Sequence, residues 1–238
     1  MVFSGHEKGD LMKAIIGGSS LFGSQLFDKW EKRVIKTPYG ETLLKIKGDY
    51  IFLQRHGSPI APAHKINHRA NIWALKDMAI EMAISINSVG SLKVRLKPGS
   101  IIIPHDFISL WHIETFYDDE MRGIIPIMHE GARRLIIETC RDIHLEITDN
   151  GIYIQTRGPR FETKAEINLL KRFGDVVGMT MASEATLSME YELPYASLCS
   201  IDNYCHGITK IPLTTGELEK NWQKNLKYIE KFLKQLIG

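Results

Sequence analysis

Cysteine is scarce in this 238-residue chain. Three residues, Cys140, Cys199 and Cys205, are odd in number and form no CxxC pair. That excludes a disulfide framework or a thiolate zinc site as the basis of the fold. Charge of one sign is also lacking: 30 Lys and Arg face 28 Asp and Glu, a net +2, with the basic residues spread along the chain. No nucleic-acid partner and no membrane surface is expected from that balance. No apolar run reaches the length of a membrane span, and MVFSGHEKGDLM has no apolar stretch of signal-peptide type. A soluble cytoplasmic protein is the expectation. Repeats, low-complexity segments and linkers are absent. Residues 1–12 read as a loose leader ahead of one domain over 13–238.

What is present is ordinary globular composition, 44% hydrophobic and 24% charged, with length enough to bury a core. Short apolar runs alternate with helical patterns. AIIGG (14–18) is a strand ending in glycines, and 42–57 reads as a hairpin ending on Arg55-His56-Gly57. A helical pattern covers 66–82, where Ile72, Leu75, Ala79 and Met82 share a face. Strands follow at 83–92 and 99–107, and a helix at 125–143. LEITDNGIYIQTRG (145–158) predicts a hairpin around Asn150-Gly151. Thr163 and Glu166 form a capping box that opens a helix through Phe173. A strand at 175–180, a helix at 183–192 and a strand at 195–203 come next. The last helix carries Trp222, Leu226, Ile229 and Leu233 on one stripe, with Thr214 and Glu217 as its cap. Strands alternating with helices predict a single three-layer α/β/α domain, and the hairpins make its central sheet mixed.

The strand ends carry the chemistry. Gly17-Gly18-Ser19-Ser20, Arg55-His56, Asn87-Ser88 with Gly90, Met179-Thr180 and Asp202-Asn203 each close a strand, where open α/β sheets bind ligands. Glycine, hydroxyl, amide and guanidinium groups suit an oxyanion such as phosphate. Each element has a plainer reading. GGSSLFG is neither of the standard phosphate-loop patterns, and alone is a tight turn. Arg55 alone is a surface ion pair, Asn87 and Ser88 are turn formers, and Thr180 caps the next helix. Glu162 complements a helix N-terminus, and Phe161 staples it. His64 and His68 lie four apart, but without HExxH a solvated helix face outweighs a metal site; no metal is expected.

Seven segments, IIGGS, QRHG, PAHKINHRANIWALK, NSVGSL, GPRFETKAE, GMTMASEATL and SIDN, stand in an order that resembles the trimeric purine nucleoside phosphorylase and methylthioadenosine phosphorylase family. The resemblance runs from about Ala14 to the C-terminal helix. It implies a nucleoside phosphorylase fold with a partly barrel-like sheet, a homotrimer or dimer of trimers, and phosphorolysis of a nucleoside to free base and sugar 1-phosphate. Inorganic phosphate is then a co-substrate and no cofactor is needed. By motif, Ser19, Arg55, His56, Asn87, Ser88 and Thr180 match phosphate-site positions. Met179 matches the residue against the ribose, and Phe161, Glu162 and Asn203 match base-site positions.

Glu162 and Asn203 resemble the 6-oxopurine branches, whereas methylthioadenosine branches carry a small hydroxyl residue and an aspartate in those two slots. An ionised Glu162 accepts from the N1–H of hypoxanthine or guanine, and the Asn203 amide donates to N7 or O6. Adenine would set a lone pair against Glu162, a mismatch of about 1–3 kcal/mol. Inosine or guanosine is the expected substrate. A one-residue slip would put Asp202 at the second position and favour methylthioadenosine. An apolar pocket for the 5′ group would favour methylthioinosine, and a non-catalytic purine-binding protein is a further alternative. The 5′ side is obscure over 204–216. Pro59 and Ile60 stand where methylthioadenosine branches have a histidine. In relatives the 107–130 loop serves a neighbouring subunit, which makes Trp111 and His112 weak candidates.

Overall fold

The computed structural model describes residues 12–111, 113–210 and 215–238. Among them, eleven strands form one mixed sheet: β1 (Lys13–Gly17), β2 (Glu31–Thr37), β3 (Gly40–Lys47), β4 (Tyr50–Gln54), β5 (Met82–Ser91), β6 (Ile101–Ile103), β7 (Asp106–Ser109), β8 (Ile147–Asp149), β9 (Ile152–Gln155), β10 (Val176–Gly178) and β11 (Tyr195–Tyr204). Five α-helices accompany them: α1 (His68–Asp77), α2 (Glu130–Asp142), α3 (Lys164–Leu170), α4 (Met181–Glu190) and α5 (Thr215–Ile237).

The central strands are apolar on both sides because both faces are covered. Ala14 and Ile16 of β1 pack in one core with Ile72 and Leu75 of α1 and Met181 and Ala185 of α4. Ile15, between them, joins a second core with Ile136 of α2 and Ile229, Phe232 and Leu233 of α5. The side-chain alternation of one five-residue strand therefore divides the molecule into its two outer layers.

The long strand β5 is where the sheet forks. Along one edge it pairs with β11 over nearly its whole length, in parallel. Along the other it pairs with β1 only from Met82 to Ser85, then with β10, antiparallel, at Gly90 and Ser91. Between those two partners β1 and β10 diverge, and their ends open a crevice over Ile86–Val89. A strand partner change of this kind is where α/β sheets leave room for a ligand.

Several sequence expectations are corrected. Asn150-Gly151 turns the chain but closes no hairpin: β8 pairs with β6, and β9 with β7 and β10, all in parallel. The preceding segment breaks at Pro104 into β6 and β7, and the two corners lie side by side, His105 N donating to Gly151 O at 3.1 Å. Two chain segments thus cross together from one limb of the sheet to the other, and local turn propensity is overridden. The helix expected over 66–82 is shorter. It starts after Asn67, whose side chain accepts from Ala70 N, and stops at Asp77, with Ala79 at φ 51° and Met82 already in β5. The helix expected from 125 begins at Glu130, and the one opened by Thr163 ends as a regular helix at Leu170. The exposed strand β2 had no counterpart in the sequence reading. The leader up to Leu11, His112 and the Thr214 cap lie outside the described residues.

Candidate active site

The crevice is a cavity of about 220 Å³. Gly18, just past β1, admits one of its walls: a Cβ there would occupy the space of the Arg55 guanidinium. Arg55 is 3% exposed and is held on every side. Its Nε donates to Glu184 Oε1 at 2.5 Å, Nη1 to Ile86 O at 2.9 Å, and Nη2 to Ser85 Oγ at 2.7 Å. Tyr195 Oη adds a bond to Glu184 Oε2 at 2.9 Å. Burial acts to raise the Glu184 carboxyl, but the Arg55 charge and hydrogen bonds outweigh it and hold it below the usual carboxylate range. The plainer reading of Arg55 as a surface ion pair is corrected here, since the pair it makes is buried. Arg55 borders the cavity, but its fork is engaged by Glu184, which the sequence reading did not single out.

Asn87 is corrected as well. It does not line the cavity; it is 1% exposed, and its Nδ2 donates to Thr180 Oγ1 at 2.9 Å. Thr180, in turn, does not cap α4 with its side chain. The leading N–H groups of that helix go elsewhere: Thr180 N and Met181 N to Tyr153 Oη, Ala182 N and Ser183 N to Gln155 Oε1. The Thr180 hydroxyl accepts from Asn87 and keeps its own proton to donate at the cavity wall. Ser19, His56 and Ser88 line the same end. His56 Nδ1 lies 2.7 Å from Ala61 O, which accepts its proton. Burial lowers the His56 pKa, partly offset by that carbonyl.

The opposite end carries Phe161, Glu162, Met179 and Asn203. Glu162 and Asn203 are each 9% exposed, so neither side chain is turned to bulk water. Glu162 is not the helix cap: Thr163 and Glu166 complete the capping box of α3, and Arg160 clamps Glu166. The Glu162 carboxylate instead accepts from Thr156 Oγ1 at 2.6 Å. Phe161 is 56% exposed and so staples nothing, but it borders the cavity. Met179 packs where Gly158 leaves space; a Cβ at 158 would lie 2.5 Å from its sulfur.

Asp202 and Asn203 both line the cavity. In a regular strand, neighbours point to opposite faces. Here β11 carries a bulge: Ile201 pairs with Val89 and Asn203 with Gly90, leaving Asp202 as the extra residue. Gly90 makes room opposite, since a Cβ there would lie 2.6 Å from Cys205 Sγ and 3.3 Å from Asn203 Nδ2. Positions 202 and 203, alternatives in the sequence, therefore both reach the cavity and have different partners. Asp202 accepts from Ser88 Oγ and from Asn225 Nδ2 of α5, the latter at 2.6 Å, while Asn203 Nδ2 donates to Tyr204 O at 2.9 Å. Burial raises the Asp202 carboxyl to about 6, against the hydrogen bonds from Asn225, Trp222 and Ser200. Trp222, His206 and Cys205 complete the wall. Nothing in the local pattern of these residues marks them, since each arrives by tertiary contact.

A second cavity of about 150 Å³ lies beyond Met179 and holds both His64 and His68. His68 is buried, not on a solvated helix face, and burial lowers its pKa to about 4. Among the described residues no group of three His, Cys, Asp or Glu is placed to hold a metal ion.

The phosphorylase superfamily profile matches residues 14–238. A probable 6-oxopurine nucleoside phosphorylase of Archaeoglobus fulgidus is 39% identical, over 94% of this chain and 97% of its own length. A probable S-methyl-5′-thioinosine phosphorylase of Methanocaldococcus jannaschii is 42% identical, over 95% and 94%. The methylthioadenosine phosphorylase of Schistosoma mansoni, solved with adenine, superposes with a TM-score of 0.82 at 25% identity, over 95% of this chain and 91% of that one. A fold shared over almost every residue, and sequence identity well above a third with curated relatives, place this chain in the phosphorylase superfamily, among the purine nucleoside and methylthioadenosine phosphorylases.

Proposed function

We propose that this protein catalyses phosphorolysis of purine nucleosides, with preference for 6-oxopurines, giving free base and ribose 1-phosphate. The observation that carries the base preference is the meeting of Glu162 and Asn203 in one cavity whose far end holds Ser19, His56, Ser88 and Thr180. Glu162 Oε1 accepts from Thr156, and among the described residues no donor meets Oε2, which suits a base N1–H. The Asn203 amide is oriented by Tyr204 O, and its second N–H suits N7 or O6 of the leaving base. The Asp202 carboxylate is occupied by Ser88 and Asn225, which argues against its serving an adenine amino group.

Cleavage of the glycosidic bond builds positive charge on the sugar and negative charge on the purine. A phosphate held beneath the sugar stabilises the first and attacks it, while Asn203 stabilises the second. Positioning and electrostatics supply the catalysis, with phosphate as co-substrate and no resident cofactor. The Arg55–Glu184 network acts as a rigid wall for the phosphate end. The hydroxyls of Ser19, Ser88 and Thr180 are the groups that meet the anion, beside a neutral His56 whose Nδ1 proton is given to Ala61 O.

Relatives named for 6-oxopurine nucleosides and for methylthioinosine support two 6-oxopurine readings that differ at the 5′ group, and relatives named for methylthioadenosine support the adenine-type alternative. We assign a cytoplasmic homotrimer or dimer of trimers as the working form. Leu110, Trp111, Ile113, Met121, Ile125 and Ile127 are all exposed in one stretch, an apolar surface suited to cover by a second copy. No helix among the described residues is long and apolar enough to cross a membrane. Turnover of inosine, guanosine, methylthioinosine, adenosine and methylthioadenosine, with and without phosphate, tests the assignment. Phosphate-dependent cleavage of the three 6-oxopurine nucleosides over the two adenine ones is expected. Preferred turnover of methylthioadenosine would reject the base preference, and binding without phosphate-dependent cleavage would reject the reaction. Light scattering on the purified protein measures the oligomer.

A further inference from the structure

We infer that Asp202 is a positioning residue that takes up a proton when an oxyanion enters the cavity, releasing the Ser88 hydroxyl to donate to the bound anion. This rests on the phosphate-site reading given above. The argument starts from the count of hydrogens. A serine hydroxyl has one proton, and in this structure Ser88 gives it to Asp202 Oδ2. In that arrangement Ser88 presents only lone pairs to the cavity, which a fully ionised oxyanion cannot use. The Asp202 carboxylate and the anion would also stand on either side of one hydroxyl as two like charges. A proton on Asp202 relieves both conflicts: the carboxyl donates to Ser88 Oγ, and Ser88 donates onward.

The surroundings of Asp202 fit a group that holds a proton. It is 2% exposed, placed inward by the β11 bulge rather than by the ordinary strand alternation. Among the described residues no cation pairs with its carboxylate. From α5 that carboxylate meets the amide of Asn225 and the indole of Trp222, and from β11 the Ser200 hydroxyl, while Asn221 Nδ2 donates to the Asp202 backbone O at 2.7 Å. Both Nδ2 protons of Asn225 are spent, on Asp202 Oδ1 and on Ile201 O, while its Oδ1 is buried with no partner. This corner therefore has a surplus of acceptors. Among the described residues the charged or titratable groups elsewhere around the cavity are the Arg55–Glu184 pair, His56, Glu162, Cys205 and His206. Arg55 is committed to Glu184, so it does not neutralise Asp202. Burial already holds the Asp202 carboxyl at about 6, before any anion adds its repulsion.

Sulfate is the probe, because it has no proton of its own to exchange near neutral pH. Calorimetric titration of the intact protein with sulfate, in two buffers of different ionisation enthalpy, counts protons taken up. The unmodified protein is expected to take up close to one proton per sulfate at about pH 7.5, with affinity falling roughly tenfold per pH unit above that range. Asp202→Asn keeps the shape and supplies a permanent N–H toward Ser88. It should take up none, bind sulfate with flat pH dependence, and bind more tightly than the unmodified protein at about pH 8. His56→Gln should retain the uptake. Infrared difference spectra of the unmodified protein, with aspartate carboxyls isotope-labelled, should gain a protonated-carboxyl band on sulfate addition, a readout that needs no variant to fold. Uptake that survives in Asp202→Asn, or is lost in His56→Gln with no new carboxyl band, would overturn the proposal alone. Absence of sulfate binding together with absence of phosphate-dependent turnover would overturn the phosphate-site reading and this proposal with it.

Discussion

The two ends of the cavity are built by opposite means. At the proposed phosphate end, Arg55, Glu184, Ser85, Asn87 and Tyr195 form a buried network on the sheet and α4, with each charged group paired. At the proposed base end, Phe161 and Glu162 sit on the loop between β9 and α3, and among the described residues Glu162 is held by Thr156 alone. The first end is bound into the core, so it cannot be altered without disturbing the fold. The second is a loop over a rigid floor, which is where specificity can change at little structural cost. On the proposed reading, the chemistry common to phosphorolysis falls on the rigid end, and the choice of base on the adjustable one.

The sharpest way to break that comparison is Glu184→Gln. It leaves the Arg55 charge buried without its counter-charge, which costs about 3–5 kcal/mol. Denaturant unfolding should show that loss, and turnover of every nucleoside should fall together. Next is Asp202. Its folded-state pKa of about 6 lies above the model-peptide value, so the stability tied to its proton is complete under strongly acidic conditions and is lost as pH rises through about 6. Asp202→Asn should therefore be more stable than the unmodified protein at about pH 8, by about 3 kcal/mol at most, with the advantage vanishing toward about pH 4. Thermal unfolding across pH measures it. Glu162→Ala should lower kcat/KM for inosine by about tenfold to a hundredfold, and that for adenosine far less, with stability changed by less than about 1 kcal/mol. An unfolding loss with unchanged kinetics would erase the distinction between the two ends. The smallest effect is expected from Thr163→Ala, which removes half of the α3 capping box at a cost of about 1 kcal/mol. A modest rise in KM without a change in base preference would place Thr163 as support for the loop that carries Glu162.

The β-strand runs, the helices at α1, α4 and α5 and the capping box of α3 were legible because each is a local pattern of apolar period or cap chemistry. The failures share a cause. Asn150-Gly151 carries the local chemistry of a hairpin, yet the partners of β8 and β9 were chosen by Pro104 and the corner at His105, more than forty positions away in the chain. Arg55 alone reads as a surface ion pair because nothing near it in sequence announces Glu184. Glu162 reads in sequence as a complement to the helix N-terminus, yet its carboxylate is engaged by Thr156, while Thr163 and Glu166 form the cap as expected.

By itself, the order of residue types determined a two-sided apolar sheet and the set of hydroxyl, amide and acidic groups carried on and just beyond its strands. Hydrophobic period and cap chemistry act over a few residues, so they are readable in one dimension. Only the tertiary structure decided which of those groups face the cavity and which hold the others in place. Pairing partners are set by burial and by the competition for buried hydrogen bonds across the whole chain. One extra residue in β11 was enough to turn Asp202 and Asn203 from alternatives into neighbours with separate tasks.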